Sequence, residues 1–213
     1  MYSFLSIRNK VFQLMSATYA RVFFGAGEGT FISVKSQLIG KKITIGKNCR
    51  ILRHVKLDTS NNPSSPDFKK NFLTGSIFLG DEVIIKDYSQ LYSYDSFIRI
   101  GNNSTINPFC IIYGHGGVTI GKNVLIAAST IIVSSNHIFD SIELPISRQG
   151  ITAEGVVLGD EVWIGSNVKI LDGVCIGHGS VVASGSVVTK SLDSFGIYGG
   201  VPAKLIRKRK MDF

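Results

Sequence analysis

Residues 158–191 read LGDEVWIGSNVKILDGVCIGHGSVVASGSVVTKS. An aliphatic residue returns at every sixth place: Leu158, Ile164, Ile170, Ile176, Val182 and Val188. The same step runs upstream in triplets, through Ile45, Ile51 and Leu57, then Leu79, Ile85 and Leu91, then Ile100, Ile106 and Ile112, then Ile120, Ile126 and Ile132. All 18 places hold Leu, Ile or Val, although those types fill only 59 of the 213 positions, so the period is not accidental. The first hexad of each triplet opens aliphatic-Gly, as in IGKNC at 45, LGDEV at 79, IGNNS at 100 and IGHGS at 176. The fifth place is small or β-branched in Cys49, Val55, Val83, Ser104, Val124, Thr130, Val162, Val168, Val174, Ser180 and Ser186.

Six residues make a short strand and a turn, and three such units make one coil of a triangular prism. Coils stack at strand spacing, about 4.8 Å. The aliphatic residue points inward and meets its counterpart in the next coil. One coil cannot bury that face alone, so stacking supplies the core. Gly and Asn suit the corners, where unusual dihedrals are needed. Triplet starts lie 34, 21, 20, 38 and 18 residues apart, so two insertions, near 58–76 and 137–155, interrupt an 18-residue coil. Cys49 and Cys110 occupy inward small places and read as core.

Composition agrees. Apolar residues make up 44% and charged ones 18%, less than the roughly 25% usual for a soluble domain. That excludes a disordered chain, which needs low hydrophobicity and high charge. There is no G-x-y period, and no apolar run approaches the roughly 20 residues of a membrane span. The net charge of +8 permits nucleic acid, an anionic membrane surface or an acidic small molecule as partner. The cations cluster at Lys204, Arg207, Lys208, Arg209 and Lys210, with no aromatic-interleaved basic patch elsewhere, so nucleic acid is disfavoured. Three cysteines without a CxxC pair argue against a disulfide framework or a zinc site and for a reducing compartment. The N-terminal stretch is broken by Gln13, Ser16 and Thr18 and makes a poor signal-peptide core. The expected location is therefore cytoplasmic, or peripheral at the inner membrane surface.

Residues 1–30 place Ile7, Val11, Leu14, Met15, Thr18 and Val22 at helical spacing. This segment reads as an amphipathic helical cap over the open end of the prism, with weak docking to a membrane surface as the alternative. Residues 31–193 form the repeat region, and 194–213 a basic C-terminal segment or short helix.

The repeat resembles that of the left-handed parallel β-helix acyltransferases, over about 39–206. The tract WIGSNVKILDGVCIGHGSVVASGSVVTKS from Trp163 to Ser191, followed by GGVPAKLIRKR, is similar to the sugar and polysaccharide O-acetyltransferases, the galactoside and maltose enzymes among them. The resemblance implies an all-β solenoid, acetyl-CoA as co-substrate without a metal, and a homotrimer acting on a glycan or sugar. The acceptor would be a capsule or lipopolysaccharide sugar; the positive charge is compatible with an acidic glycan such as a sialic-acid polymer, and equally with CoA phosphates.

Site residues follow by position. His137, in SSNHIFD where the second insertion begins, lands on the family's catalytic histidine. It would act as general base, taking the proton of an acceptor hydroxyl as the oxygen attacks the thioester carbonyl. The backbone N–H of Ser166 in WIGS would face the developing oxyanion. Asn107 and Trp163 match acceptor-site positions, and Asp140 is a candidate to orient His137. Ser166, Ser184 and Thr189 are candidate contacts for the pantetheine, and Lys204 and Arg207 for the nucleotide phosphates. Each has a plainer reading: a corner Asn, a Trp used in subunit packing, a solvated basic tail. His54, His115 and His178 sit at hexad corners, where a polar residue is ordinary. A γ-type carbonic anhydrase would need three converging histidines, and His115 and His137 occupy different hexad places. An N-acetyltransferase acting on an amino sugar or other amine, and a non-catalytic scaffold, remain as alternatives.

Overall fold

The computed structural model describes residues 24–60 and 75–210. The helical segment expected within 1–30 falls almost wholly outside the described residues, as does most of the insertion near 58–76. What is described is a left-handed parallel β-helix of three faces, with the chain running from first to second to third face in every coil.

The first face stacks Phe31–Ile32, Arg50–Ile51, Ile84–Ile85, Thr105–Ile106, Leu125–Ile126, Trp163–Ile164 and Val181–Val182. The second stacks Gln37–Ile39, Lys56–Asp58, Gln90–Tyr92, Ile111–Tyr113, Ile131–Val133, Lys169–Ile170 and Val187–Val188. The third stacks Ile43–Ile45, Ser76–Leu79, Phe97–Ile100, Val118–Ile120, Val156–Leu158 and Cys175–Ile176. Pairing within the faces is parallel and follows the hexad register: Ile106 lies against Ile126, Ile126 against Ile164, and Ile164 against Val182. The three members of each triplet therefore go one to a face. All 18 are buried, and so are the small fifth-place residues. Truncating such a side chain costs about 2–5 kcal/mol. A further partial coil, with Ile32 fully buried, precedes the first triplet.

Buried hydroxyls at the fifth place are satisfied by carbonyls of the neighbouring turns: Ser104 Oγ donates to Gly121 O at 2.9 Å, and Thr130 Oγ1 to Gly165 O at 3.1 Å. The corners need left-handed backbone. Asn48, Asn103, Asn123 and Asn167 adopt it with φ between 53° and 59°, a conformation the short Asn side chain tolerates. The C-terminal segment is a strand hairpin rather than a helix: Gly196–Gly199 joins the first face and pairs antiparallel with Lys204–Lys208. Among the described residues no helix is long and apolar enough to cross a membrane.

Candidate active site

The second insertion leaves the corner between the second and third faces. Asn136–His137 and Ile151–Thr152 form a two-stranded antiparallel ribbon, with His137 opposite Ile151. Gln149 closes the loop on itself: its amide nitrogen donates to Ser141 O and Leu144 O at 2.8 Å, and its oxygen accepts from Ser141 N–H at 3.0 Å. Asp172 pins the base. Its carboxylate accepts from Glu154 N–H at 3.0 Å and Gly155 N–H at 2.9 Å, and Thr152 Oγ1 lies 3.4 Å away. Asp172 was not among the residues expected from sequence; its one available signal is that it follows Glu154 by 18 residues, a full coil.

His137 is exposed on this ribbon. The other histidines are engaged: His54 stacks on Tyr88, His115 stacks on Tyr94 at 4.0 Å, and His178 meets Phe195 edge-on and approaches Glu161 at 3.9 Å. Among the described residues no hydrogen bond or ion pair joins Asp140 to His137. Nor does any group of three or more His, Cys, Asp or Glu gather as a metal site among them.

Trp163, Ser166 and Ser184 stand elsewhere. Trp163 points outward from the first face, 53% exposed, between Leu125 and Val181. Ser166 lies at the next corner, between the first and second faces. Gly165 beside it tolerates no side chain, because a Cβ would sit 2.6 Å from the backbone nitrogen of Ser184. The Ser166 N–H donates to Ser184 Oγ at 3.1 Å, so the two serines expected along the pantetheine are already in contact. Asn107 occupies the same corner with its carboxamide engaged at both ends. Its Nδ2 donates to Ile126 O and its Oδ1 accepts from Lys86 Nζ, both at 2.9 Å. Lys86, which follows Ile85 as Asn107 follows Ile106, shares this corner one coil earlier and was not among the residues expected from sequence.

The C-terminal hairpin extends this face. Lys204 pairs with Gly199 and Arg207 with Ile197, while Ala183 N–H, beside Ser184, donates to Tyr198 O at 2.8 Å. Both cations are exposed, a short step along the prism from Ser184. Thr189 is exposed at the corner after the second face and does not join this group. In a single chain, then, the expected residues fall into two sets. His137 and Thr189 belong to one corner; Asn107, Trp163, Ser166, Ser184, Lys204 and Arg207 belong to the first face and its neighbouring corner. A depression of about 220 Å³ beside the base of the loop, lined by Glu154, Gly155 and Cys175 among others, contains none of them.

Comparison with known proteins gives a consistent picture. Residues 155–190 match the family described as Bacterial transferase hexapeptide (six repeats). The chain is 32% identical over 183 residues to WbbJ of Escherichia coli, named for lipopolysaccharide biosynthesis O-acetyl transfer, covering 76% of this chain and 80% of that one. It is 52% identical over 160 residues to a protein of Lysinibacillus sphaericus named for macrolide acetylation, covering 73% and 74%. The crystal structure of the hexapeptide-repeat-containing acetyltransferase VCA0836 from Vibrio cholerae, complexed with acetyl coenzyme A, superposes with a TM-score of 0.55 at 31% identity, over 64% of this chain and 72% of that one.

Proposed function

The chain belongs to the hexapeptide-repeat acetyltransferases, and from that premise we propose that it transfers acetyl from acetyl-CoA to a sugar hydroxyl of a bacterial surface glycan, with His137 as general base. The observation that carries the reading is His137 itself: an exposed imidazole, clear of ring and ionic neighbours among the described residues, held on a ribbon that Asp172 and Gln149 fix at its base and within its loop. The lipopolysaccharide name of the E. coli relative favours a surface glycan as acceptor.

Acetyl-CoA supplies an activated acyl group. The chain's own contribution is proton handling and charge stabilisation. His137 takes the proton of the acceptor hydroxyl, the kind of transfer worth about 10²–10⁴-fold in rate, and returns it to the departing thiolate. The Ser166 N–H offers a fixed dipole to the developing oxyanion once Ser184 Oγ turns aside. Lys204 and Arg207, both exposed beyond Ser184, suit the charged end of a nucleotide. Asn107 and Lys86 present a carboxamide oxygen and an ammonium together, a pair suited to sugar hydroxyls.

Because the two sets of residues stand at different corners, one chain does not assemble the site. A closed trimer resolves this. Flat faces pack about a three-fold axis, and one copy's His137 ribbon meets the next copy's first face.

The Lysinibacillus relative favours a second reading, acetylation of a macrolide hydroxyl. A panel of glycans, amino sugars and a macrolide, incubated with acetyl-CoA and followed by thiol release and NMR of the product, separates the two. A new O-acetyl signal on a sugar ring is expected. Turnover confined to the macrolide or to an amine would sink the glycan reading.

A further inference from the structure

We propose that the ring of Phe109 is a stacking platform for the pyranose ring of the acceptor, an inference that rests on the sugar-acetylation reading above. From His54 onward, the corner between the first and second faces carries a left-handed residue in every coil. Elsewhere such places go mainly to Asn, Glu or Gly, but here three successive coils use His54 at φ 59°, Tyr88 at 63° and Phe109 at 62°. Bulky side chains are disfavoured in this conformation, so their presence calls for a compensating role.

Part of the compensation is mutual. The His54 and Tyr88 rings lie 4.8 Å apart and 10° from parallel, and Tyr88 and Phe109 lie 5.2 Å apart and 2° from parallel. One ring per coil therefore builds a continuous stack, and the stack stops at Phe109. The backbone ladder continues, since Ser129 N–H donates to Pro108 O at 3.0 Å and Asn167 N–H to Ala128 O at 2.9 Å. The next residue at the ring position is thus Ser129, whose side chain ends at Oγ. Tyr88 is the only ring stacked on Phe109 among the described residues, and Phe109 is 57% exposed.

At Ser129 the ring position goes without a ring for one coil, about 4.8 Å along the prism, close to the spacing at which the rings below stack. Its surroundings match one class of occupant. Asn107, two residues before Phe109, is fixed at this corner by its Nδ2, which donates to Ile126 O in the Ser129 coil at 2.9 Å, while Leu125 and Trp163 stand exposed on the adjoining face. An apolar ring face bordered by a few fixed polar groups suits a ligand that is apolar on its face and polar around its rim. A pyranose, with axial C–H bonds on one face and equatorial hydroxyls around it, has that form. Stacking on Phe109 would set its hydroxyls beside Asn107 and Ser129 and fix which one is offered to the base.

The test uses Phe109→Asn, which keeps the left-handed conformation that Asn167 already adopts on this ladder, and Phe109→Tyr as the conservative rescue. Full-length proteins are assayed with methyl galactoside, glucoside, mannoside and N-acetylneuraminide at saturating acetyl-CoA, and their mass is read by analytical ultracentrifugation. The expected result is a KM for the turned-over pyranoside raised about tenfold in Phe109→Asn, restored in Phe109→Tyr, with the KM for acetyl-CoA and the oligomer mass unchanged. An unchanged pyranoside KM overturns the platform while leaving the sugar reading intact. A fall in oligomer mass also overturns it, because the ring then packs against a second copy. If the wild-type protein acetylates none of the pyranosides, the sugar reading and the platform fall together.

Discussion

Single side chains at the corner between the second and third faces make stability depend on pH. His115 stacks on Tyr94, and burial holds its imidazole below the usual histidine range, with Asp95 opposing the shift; burial also pushes the Tyr94 phenol up to about 12. A histidine whose folded pKa is depressed favours the folded state above its unfolded value, near 6.5, and that contribution is lost as pH falls from there through the folded value. Melting temperatures at pH 7.5 and 5.5 should therefore drop more for the wild type than for His115→Gln, and equal drops would contradict this assignment. The sequence placed His115 at a corner; the hexad count sets Tyr94 at the same place one coil earlier, but does not show that the two rings stack and bury the imidazole. The inward residues were different. Ile126 or Ile164 could be assigned without a structure, because a six-residue period leaves only one place per hexad for the core.

At the scale of elements, the ribbon that carries His137 is the part whose position matters most and whose supports were least legible. The break in period after Ile132 marked where the loop leaves the prism. It did not reveal that Asp172 in the next coil holds the return strand, because that contact follows from how the insertion closes. Removing the carboxylate by Asp172→Ala frees Glu154 and Gly155 N–H groups at an exposed site, which should loosen the ribbon with little effect on overall stability. We expect kcat to fall about tenfold with the KM for acetyl-CoA nearly constant, and Asp172→Asn, which keeps one acceptor oxygen, to recover part of the loss. A wild-type kcat in Asp172→Ala would show that the ribbon needs no such anchor. The Lys86–Asn107 contact is different: the 21-residue triplet spacing already sets the pair at the same place of successive coils, and the structure adds the hydrogen bond between them.

At the scale of the molecule, the prism acts as a ruler that fixes faces and corners but keeps His137 apart from Trp163, Asn107 and Ser166. The proposed trimer would share the site between copies, and this can be tested by mixing. His137→Ala and a Trp163→Ala/Asn107→Ala double variant, each weak alone, should regain activity when co-expressed, since a mixed trimer contains some junctions with both wild-type sets. No recovery would place the whole site within one chain. The fold class was legible because it repeats; the proposed sharing between copies was not, because no hexad records which corner meets a neighbour. The central claim, acetyl transfer driven by His137, is met most directly by the rate of thiol release from acetyl-CoA in the presence of an accepted sugar, compared between the wild type and His137→Ala. A loss of about 10²–10⁴-fold in kcat, with the fold and oligomer mass retained, is the expected result; equal rates in the two proteins would contradict the account.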